Sequence, residues 1–276
     1  MDKKILIIGC TGMLGFNLFK IFSYNYKFVY GTCRNKYNLI DENIYVLEHT
    51  KENLYNIIKK INPDIILNCI GILKENNYQE QINMIYANSI LPIELNNICK
   101  ENNIYFIHFS TDSIFKSSSE YQNINNIYSP ESFYSSTKIL SEVIEKDALV
   151  LRICPIGYDH FKNLSLFNFI YNNKEINIKG YRNCYFNGLT TIEIGKELIR
   201  IINDNYQLKG IHHITGPKIS KYELLKIINI EFNLNKNIIP LEEPIISRLL
   251  KDDLTISNNL DWIKMMNELK IFIDSI

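Results

Sequence analysis

The stretch YSSTK places Tyr134 four residues before Lys138. On a helix that spacing puts a phenol and an ammonium on one face. Such a pair suits carbonyl reduction. The phenol gives a proton to the carbonyl oxygen while hydride from a nicotinamide reaches the carbon. The ammonium lowers the phenol's pKa and binds the nicotinamide ribose. Tyrosine and lysine are both common in this chain, so the pair gains meaning only from its surroundings. Upstream, FIHFSTDSIF ends a strand-like run in Ser110, Thr111 and Asp112. Hydroxyls at the carboxyl end of a parallel strand can hold a substrate oxygen.

The elements that must position these groups follow from the pattern of apolar residues. KKILIIG at 3–9 is short, branched and nearly all apolar, as a parallel strand buried on both faces requires. Further strands are predicted at 27–34, 45–49, 64–71, 104–111 and 148–153. Helices are predicted over FNLFKIFSY, over 52–61 with Pro63 beyond its end, from Gln79 to Asn102, and from Ser135 to Lys146. Pro92 predicts a kink or restart within the third of these. Repeated βαβα order with short connections predicts an α/β fold, a doubly wound parallel sheet of the Rossmann kind.

After Ile153 the pattern loosens. LSLFNFIYNN, TTIEIGKELIRIINDN and SKYELLKIINIEF read as helices, EINIKG and IHHITG as strands, and the part from Pro240 as short segments. The expected division is a dinucleotide-binding Rossmann domain over 1–153, completed by segments around 180–204. Residues 154–179 and 205–276 are expected to form a small mixed lobe for substrate.

Composition narrows the function classes. The chain has 276 residues, 46% of them hydrophobic, and 30 basic residues against 30 acidic ones. No basic excess calls for a nucleic-acid partner. No run is long and apolar enough for a membrane span, and ILIIG after MDKK reads as a strand rather than a signal peptide. The cysteines, Cys10, Cys33, Cys69, Cys99, Cys154 and Cys184, form no C-x-x-C pair. They are expected to be buried thiols of a cytoplasmic protein, with no zinc or other metal site.

GCTGMLG sets Gly9, Gly12 and Gly15 directly between the first strand and the first helix. Glycines there turn the chain sharply, let a pyrophosphate approach the backbone, and seat the helix N-terminus against the phosphates. Dinucleotide binding is therefore expected. A carboxylate at the end of the second strand would favour a free ribose hydroxyl. The chain has Thr32, Cys33 and Arg34 instead, and an arginine fork suits a 2′-phosphate. NADPH is expected ahead of NADH.

Together, GCTGMLG, NCIG at 68–71, STDSIF at 110–115 and the later Tyr-x-x-x-Lys resemble an extended short-chain dehydrogenase/reductase of the dTDP-4-dehydrorhamnose reductase type. The resemblance implies Thr111, Tyr134 and Lys138 as the catalytic trio. It implies a cofactor site lined by Gly9, Gly12, Met13, Leu14, Gly15, Arg34, Cys69, Ile70, Gly71, Ser110, Tyr134, Lys138 and Ile156, with Asn88 supporting it. The implied substrate is a nucleotide-linked 4-keto-6-deoxy sugar used for surface polysaccharide, and the implied state a monomer or homodimer. FNGLTTIEIGKEL and GIHHITGPKISKYELL resemble a narrower group of sugar-nucleotide-binding reductases, which sets Asn187 and Thr190 near the substrate with Asp112 and Ser113. Arg248 is a further candidate phosphate contact. His212 and His213 are expected to be structural, and Lys221 solvated.

Three departures bear on chemistry. Ser113 stands where this type of reductase carries tyrosine, Tyr121-Gln122-Asn123 replaces a Tyr-x-Glu, and Cys154 replaces a small polar residue. Dehydration by a relative of this family needs an Asp-Glu pair, and Ser113 occupies the glutamate position, so elimination is disfavoured. An epimerase holding NAD and a non-catalytic NADP-binding protein are the competing readings.

Overall fold

Ile5, Leu6, Ile7 and Ile8 are all fully buried, yet they serve two different cores. Side chains alternate across a strand. Ile5 and Ile7 pack with Leu18, Phe22 and Leu198, while Leu6 and Ile8 pack with Leu54, Ile58 and Leu95. That double burial is what a central parallel strand between two helical layers requires. The computed structural model describes residues 2–37, 41–204, 208–254 and 260–276.

The first half alternates as the sequence predicts: β1 (Lys4–Ile8), α1 (Met13–Asn25), β2 (Phe28–Cys33), β3 (Ile44–Val46), α2 (Lys51–Ile61), β4 (Ile65–Asn68), α3 (Tyr78–Ile85), α4 (Leu91–Glu101), β5 (Tyr105–Thr111), α5 (Phe133–Ser141) and β6 (Leu149–Ile153). The second half adds β7 (Pro155–Ile156), α6 (Leu166–Tyr171), β8 (Asn177–Tyr181), β9 (Cys184–Phe186), β10 (Leu189–Thr190), α7 (Thr191–Asp204), β11 (Gly210–His213), β12 (Ile219–Ser220), α8 (Lys221–Glu231), β13 (Asn237–Leu241), β14 (Ile246–Arg248) and α9 (Trp262–Asp274).

Seven strands of the described residues form the main sheet in the order β11-β6-β5-β4-β1-β2-β3, and every pairing in it is parallel. Strand order reverses between β1 and β4, which opens a crevice at their carboxyl ends. Smaller pairings, β8 with β13, β7 with β10, and β9 between β12 and β14, lie outside that sheet.

Three elements differ from the sequence expectation. Residues 210–213, assigned to the small lobe, form β11 and pair with β6 at the edge of the main sheet. The tail beyond Pro240 is not only short segments. Asp261 caps α9, which buries Trp262, Met265, Met266, Leu269 and Phe272 along one helical face. The helix predicted from Gln79 to Asn102 is interrupted by a π-helical stretch, Tyr86–Ile90, rather than a simple kink. Pro92 lies in the first turn of α4. Having no N–H, it cannot bond the carbonyl of Asn88, and the wider turn precedes it.

Candidate active site

The glycine turn is shaped by close approaches. Gly9 has φ 85°, in the region that favours glycine, and its N–H and that of Cys10 donate to the Thr32 carbonyl at 3.0 and 2.9 Å. A Cβ on Gly15 would lie 2.2 Å from the Gly9 carbonyl oxygen, so only glycine lets α1 sit so near β1. Gly12 caps α1 without a side-chain acceptor, and Met13 and Leu14 form the first turn. The first amides of α1 thus lack a side-chain acceptor, and they lie at the positive end of the helix. Leu14 also packs against the core.

Beyond β2, Arg34 is exposed and makes no ion pair among the described residues. Its charge reaches His49, which bonds Thr32 Oγ1 at 3.0 Å. Burial first, and Arg34 second, lower the His49 pKa to about 4.

Across the crevice, Cys69, Ile70 and Gly71 follow β4. A Cβ on Gly9 would stand 3.2 Å from the Ile70 nitrogen, so the two walls nearly touch. Asn88, fully buried in the π-helical stretch, ties this wall to α5. Its Oδ1 accepts from Ile72 N–H at 2.9 Å, and its Nδ2 donates to the Ile72 carbonyl at 2.9 Å and to Thr137 Oγ1 at 3.1 Å. Ser89 Oγ donates to the Thr137 carbonyl at 2.8 Å. Ser89 and Thr137 were not singled out from sequence. The signal for Ser89 is its place beside Asn88 in a helix otherwise flanked by apolar residues.

α5 starts cleanly because Ser132 and Ser135 cap it reciprocally. This fixes Tyr134 in the first turn and Lys138 one turn on. The Thr111 hydroxyl lies close enough to the Tyr134 phenol to lower its pKa. It also donates to Asp112 Oδ1 at 3.1 Å and lies 3.2 Å from Ser113 Oγ. Tyr134, Thr111, Asp112 and Ser113 are thus one cluster at the end of β5. Burial raises the Tyr134 pKa most, Thr111 lowers it, and Asp112 and Cys154 raise it. Lys138 is not among these influences on Tyr134. The Lys138 amine lies 3.4 Å from His108 Nε2. Burial lowers the Lys138 pKa to about 8, against an opposing pull from Glu142.

Asp112 and Cys154 lie close enough to shift each other's pKa. Burial raises the Asp112 pKa, while the charge of Arg248 on β14, the bond from Thr111 and the nearby Cys154 thiol lower it. Lys221, expected to be solvated, lies close enough to Cys154 to lower the thiol's pKa, although burial leaves it well raised. Arg248 Nη2 pairs with Glu131 at 3.2 Å, and its buried Nε has no partner among the described residues. Cys154, which the sequence marks only as a departure, stands beside Asp112 in this cluster.

Other expected contacts are used elsewhere. Ser110 Oγ donates to Glu142 Oε1 at 2.5 Å, facing the core. The Asn187 amide both donates to and accepts from the Leu250 backbone, at 2.7 and 2.9 Å. Thr190 Oγ1 accepts from Glu193 N–H at the start of α7. Ile156 is buried in β7. His213 bonds Arg152 and the Lys251 carbonyl, and His212 bonds Asp253. No group of three or more metal-ligating side chains stands together among the described residues, and no helix among them is long and apolar enough to cross a membrane.

Residues 3–246 match the family described as the RmlD substrate binding domain, and the chain belongs to that family. The fold is similar to that of the dTDP-4-dehydrorhamnose reductase of Bacillus anthracis, solved with NADP. That likeness covers 98% of this chain and 99% of the other, at a TM-score of 0.80 and 16% identity. WbmG of Bordetella bronchiseptica, solved with NAD and UDP, covers 100% of this chain and 96% of its own at TM-score 0.81 and 13% identity. In sequence, the methionine adenosyltransferase 2 subunit beta of Xenopus tropicalis is 24% identical over 248 residues, 84% of this chain and 73% of the relative.

Proposed function

We propose that the protein is an NAD(P)H-dependent reductase acting on the 4-keto group of a nucleotide-linked deoxysugar, with NADPH ahead of NADH. The carrying observation is the Tyr134 phenol beside the Thr111 hydroxyl at the carboxyl edge of β5, with Lys138 buried one helical turn away. The residues present fit a dinucleotide. Gly9 and Gly15 let the turn pack closely against Ile70 and α1, a Cβ on Gly12 would meet only the Gly9 carbonyl at 3.6 Å, α1 begins without a side-chain cap, and Arg34 is free to meet a 2′-phosphate. Gly12, Met13 and Leu14 would hold the pyrophosphate, and Lys138 the nicotinamide ribose. Ile70 and Gly71 would line the opposite wall.

The bound nicotinamide supplies the hydride. Thr111 orients the ketone oxygen. Tyr134, whose pKa is raised by burial, stays protonated at neutral pH and gives its proton to that oxygen. Arg248, with an unpartnered buried Nε beside Asp112, favours an anionic part of the substrate. The segments outside the main sheet would hold the nucleotide. A cytoplasmic enzyme of surface polysaccharide synthesis is the setting this reading implies. Bacillus anthracis dTDP-4-dehydrorhamnose reductase, the fold relative solved with NADP, supports the reaction class.

The test is consumption of NADPH and of NADH with a panel of nucleotide-linked 4-keto-6-deoxy sugars. Oxidation of NADPH with matching alcohol formation is expected. Tight NADPH binding with no turnover of any sugar would instead favour a non-catalytic role. Turnover without added reductant by protein carrying NAD would favour an epimerase.

A further inference from the structure

His108 lies in the middle of β5, fully buried, and contacts the amine of Lys138. Its tautomer is fixed by its neighbours. Asn68 Oδ1 accepts from Ile70 N–H at 3.2 Å, which turns the Asn68 amide nitrogen toward His108 Nδ1, 3.2 Å away. Nδ1 must therefore accept, and the ring proton sits on Nε2. Ser141 Oγ gives its own proton to the Lys138 carbonyl at 2.7 Å, and so accepts the Nε2 proton at 3.0 Å.

The Lys138 amine lies 3.4 Å from that same Nε2. The nitrogen facing it carries a proton and offers no lone pair. A contact of that length is also beyond a good N–H bond. No other hydrogen bond of the amine occurs among the described residues. Glu142 acts on Lys138 through space, but its oxygens are taken by Arg152 and Ser110. The groups facing this centre are Asn68 from β4, Ser141 and Glu142 from α5 and its extension, and Arg152 from β6. Arg152 is fully engaged with Glu142, Tyr128, His213 and a backbone carbonyl.

We infer that His108 is a positioning residue that withholds an acceptor from Lys138, so that dinucleotide binding is coupled to uptake of a proton by Lys138. The inference rests on the dinucleotide site proposed above, though not on the sugar reaction. With its amine near pKa 8 in the free protein, Lys138 is part neutral in mild alkali. Ribose hydroxyls give it the acceptors it lacks and favour the charged form. Affinity is then flat in pH below that value and falls about tenfold per pH unit above it.

The test is calorimetric titration with NADPH at about pH 8 in two buffers of different ionisation enthalpy. There the 2′-phosphate is already ionised. About half a proton is taken up per dinucleotide, rising toward one in more alkaline buffer. Lys138→Met abolishes the uptake. His108→Gln, whose amide oxygen can accept from Lys138, lowers it to near zero, whereas His108→Phe, which also offers no acceptor, keeps it. Dinucleotide binding by the wild type without uptake overturns the inference. Uptake retained in His108→Gln, or lost in His108→Phe, overturns the role of His108. Failure of both NADPH and NADH to bind the wild type at any pH is a different result: it removes the dinucleotide site itself.

Discussion

Arg152 and Glu142 meet in the interior as a two-pronged ion pair, Nε to Oε1 at 3.0 Å and Nη2 to Oε2 at 2.8 Å. Arg152 is entirely shielded from solvent. Its remaining donors reach Tyr128 Oη, His213 Nε2 and the Ile124 carbonyl. The pair therefore joins β6, the end of α5 and the 117–128 loop. Leaving one charge buried without the other costs several kilocalories. Glu142→Gln is expected to lower stability by about 3–5 kcal/mol, read from urea unfolding. Glu142→Leu combined with Arg152→Met should recover part of that loss, because no unpaired charge remains. A double variant less stable than either single one would contradict this account.

Tyr134→Phe removes the phenolic proton and leaves the ring. Dinucleotide affinity should stay within about twofold, while turnover of the best keto-sugar falls by about 10²-fold or more. Equal turnover by the variant would end the assignment of Tyr134 as proton donor.

Arg34→Ala removes an exposed guanidinium at the end of β2. NADPH affinity is expected to fall by about tenfold or more, with NADH changed much less. The ratio of the two dissociation constants is the readout, and an unchanged ratio assigns the 2′-phosphate to some other group.

Gly15→Ala sets a methyl group 2.2 Å from the Gly9 carbonyl. Both atoms belong to the packed turn, so the turn itself must open. Weaker binding of both dinucleotides and a lower melting temperature are expected together. Retention of both would mean that the approach of α1 to β1 is looser than this geometry.

His212 and Asp253 make a partly buried pair at 2.7 Å, and Asp253 also accepts from His213 N–H at 2.6 Å. The bond to Asp253 raises the His212 pKa above its ordinary 6.5. Asp253 is held below its ordinary 3.8, against burial, by bonds from His212 and the His213 amide. The histidine contribution is fully present below pH 6.5 and is lost as pH rises through the higher folded value. The aspartate contribution is present above pH 3.8 and is lost as pH falls below it. Stability measured across this range should decline on the alkaline side of pH 6.5. His212→Gln should flatten that decline, and an identical slope in the variant would assign the dependence to another group.

Much of this arrangement is legible in the linear chain because its signals are local. The glycines of the first turn, the double-sided apolar strands and the Tyr134–Lys138 spacing each act within a few residues. What the sequence hides depends on partners far along the chain. Ser110 reads as a crevice hydroxyl, but its acceptor is 32 residues away on another element. Asn187 is spoken for by Leu250, 63 residues later. β11 reads like any short strand, and only its pairing with β6 assigns it to the main sheet. His108 interrupts an apolar run and so is visible as an anomaly. Its meaning needs Asn68 and Ser141 on neighbouring elements.

The five residues Tyr86–Ile90 amount to one residue more than a regular helix would need across the same span. Loss of a single codon there would restore ordinary winding and swing everything upstream by about a quarter-turn. Asn88 could no longer clasp Ile72 and Thr137 at once. Such a deletant would gain a more regular helix while losing the brace between the two walls of the crevice, so good folding and ligand grip would part company at that point.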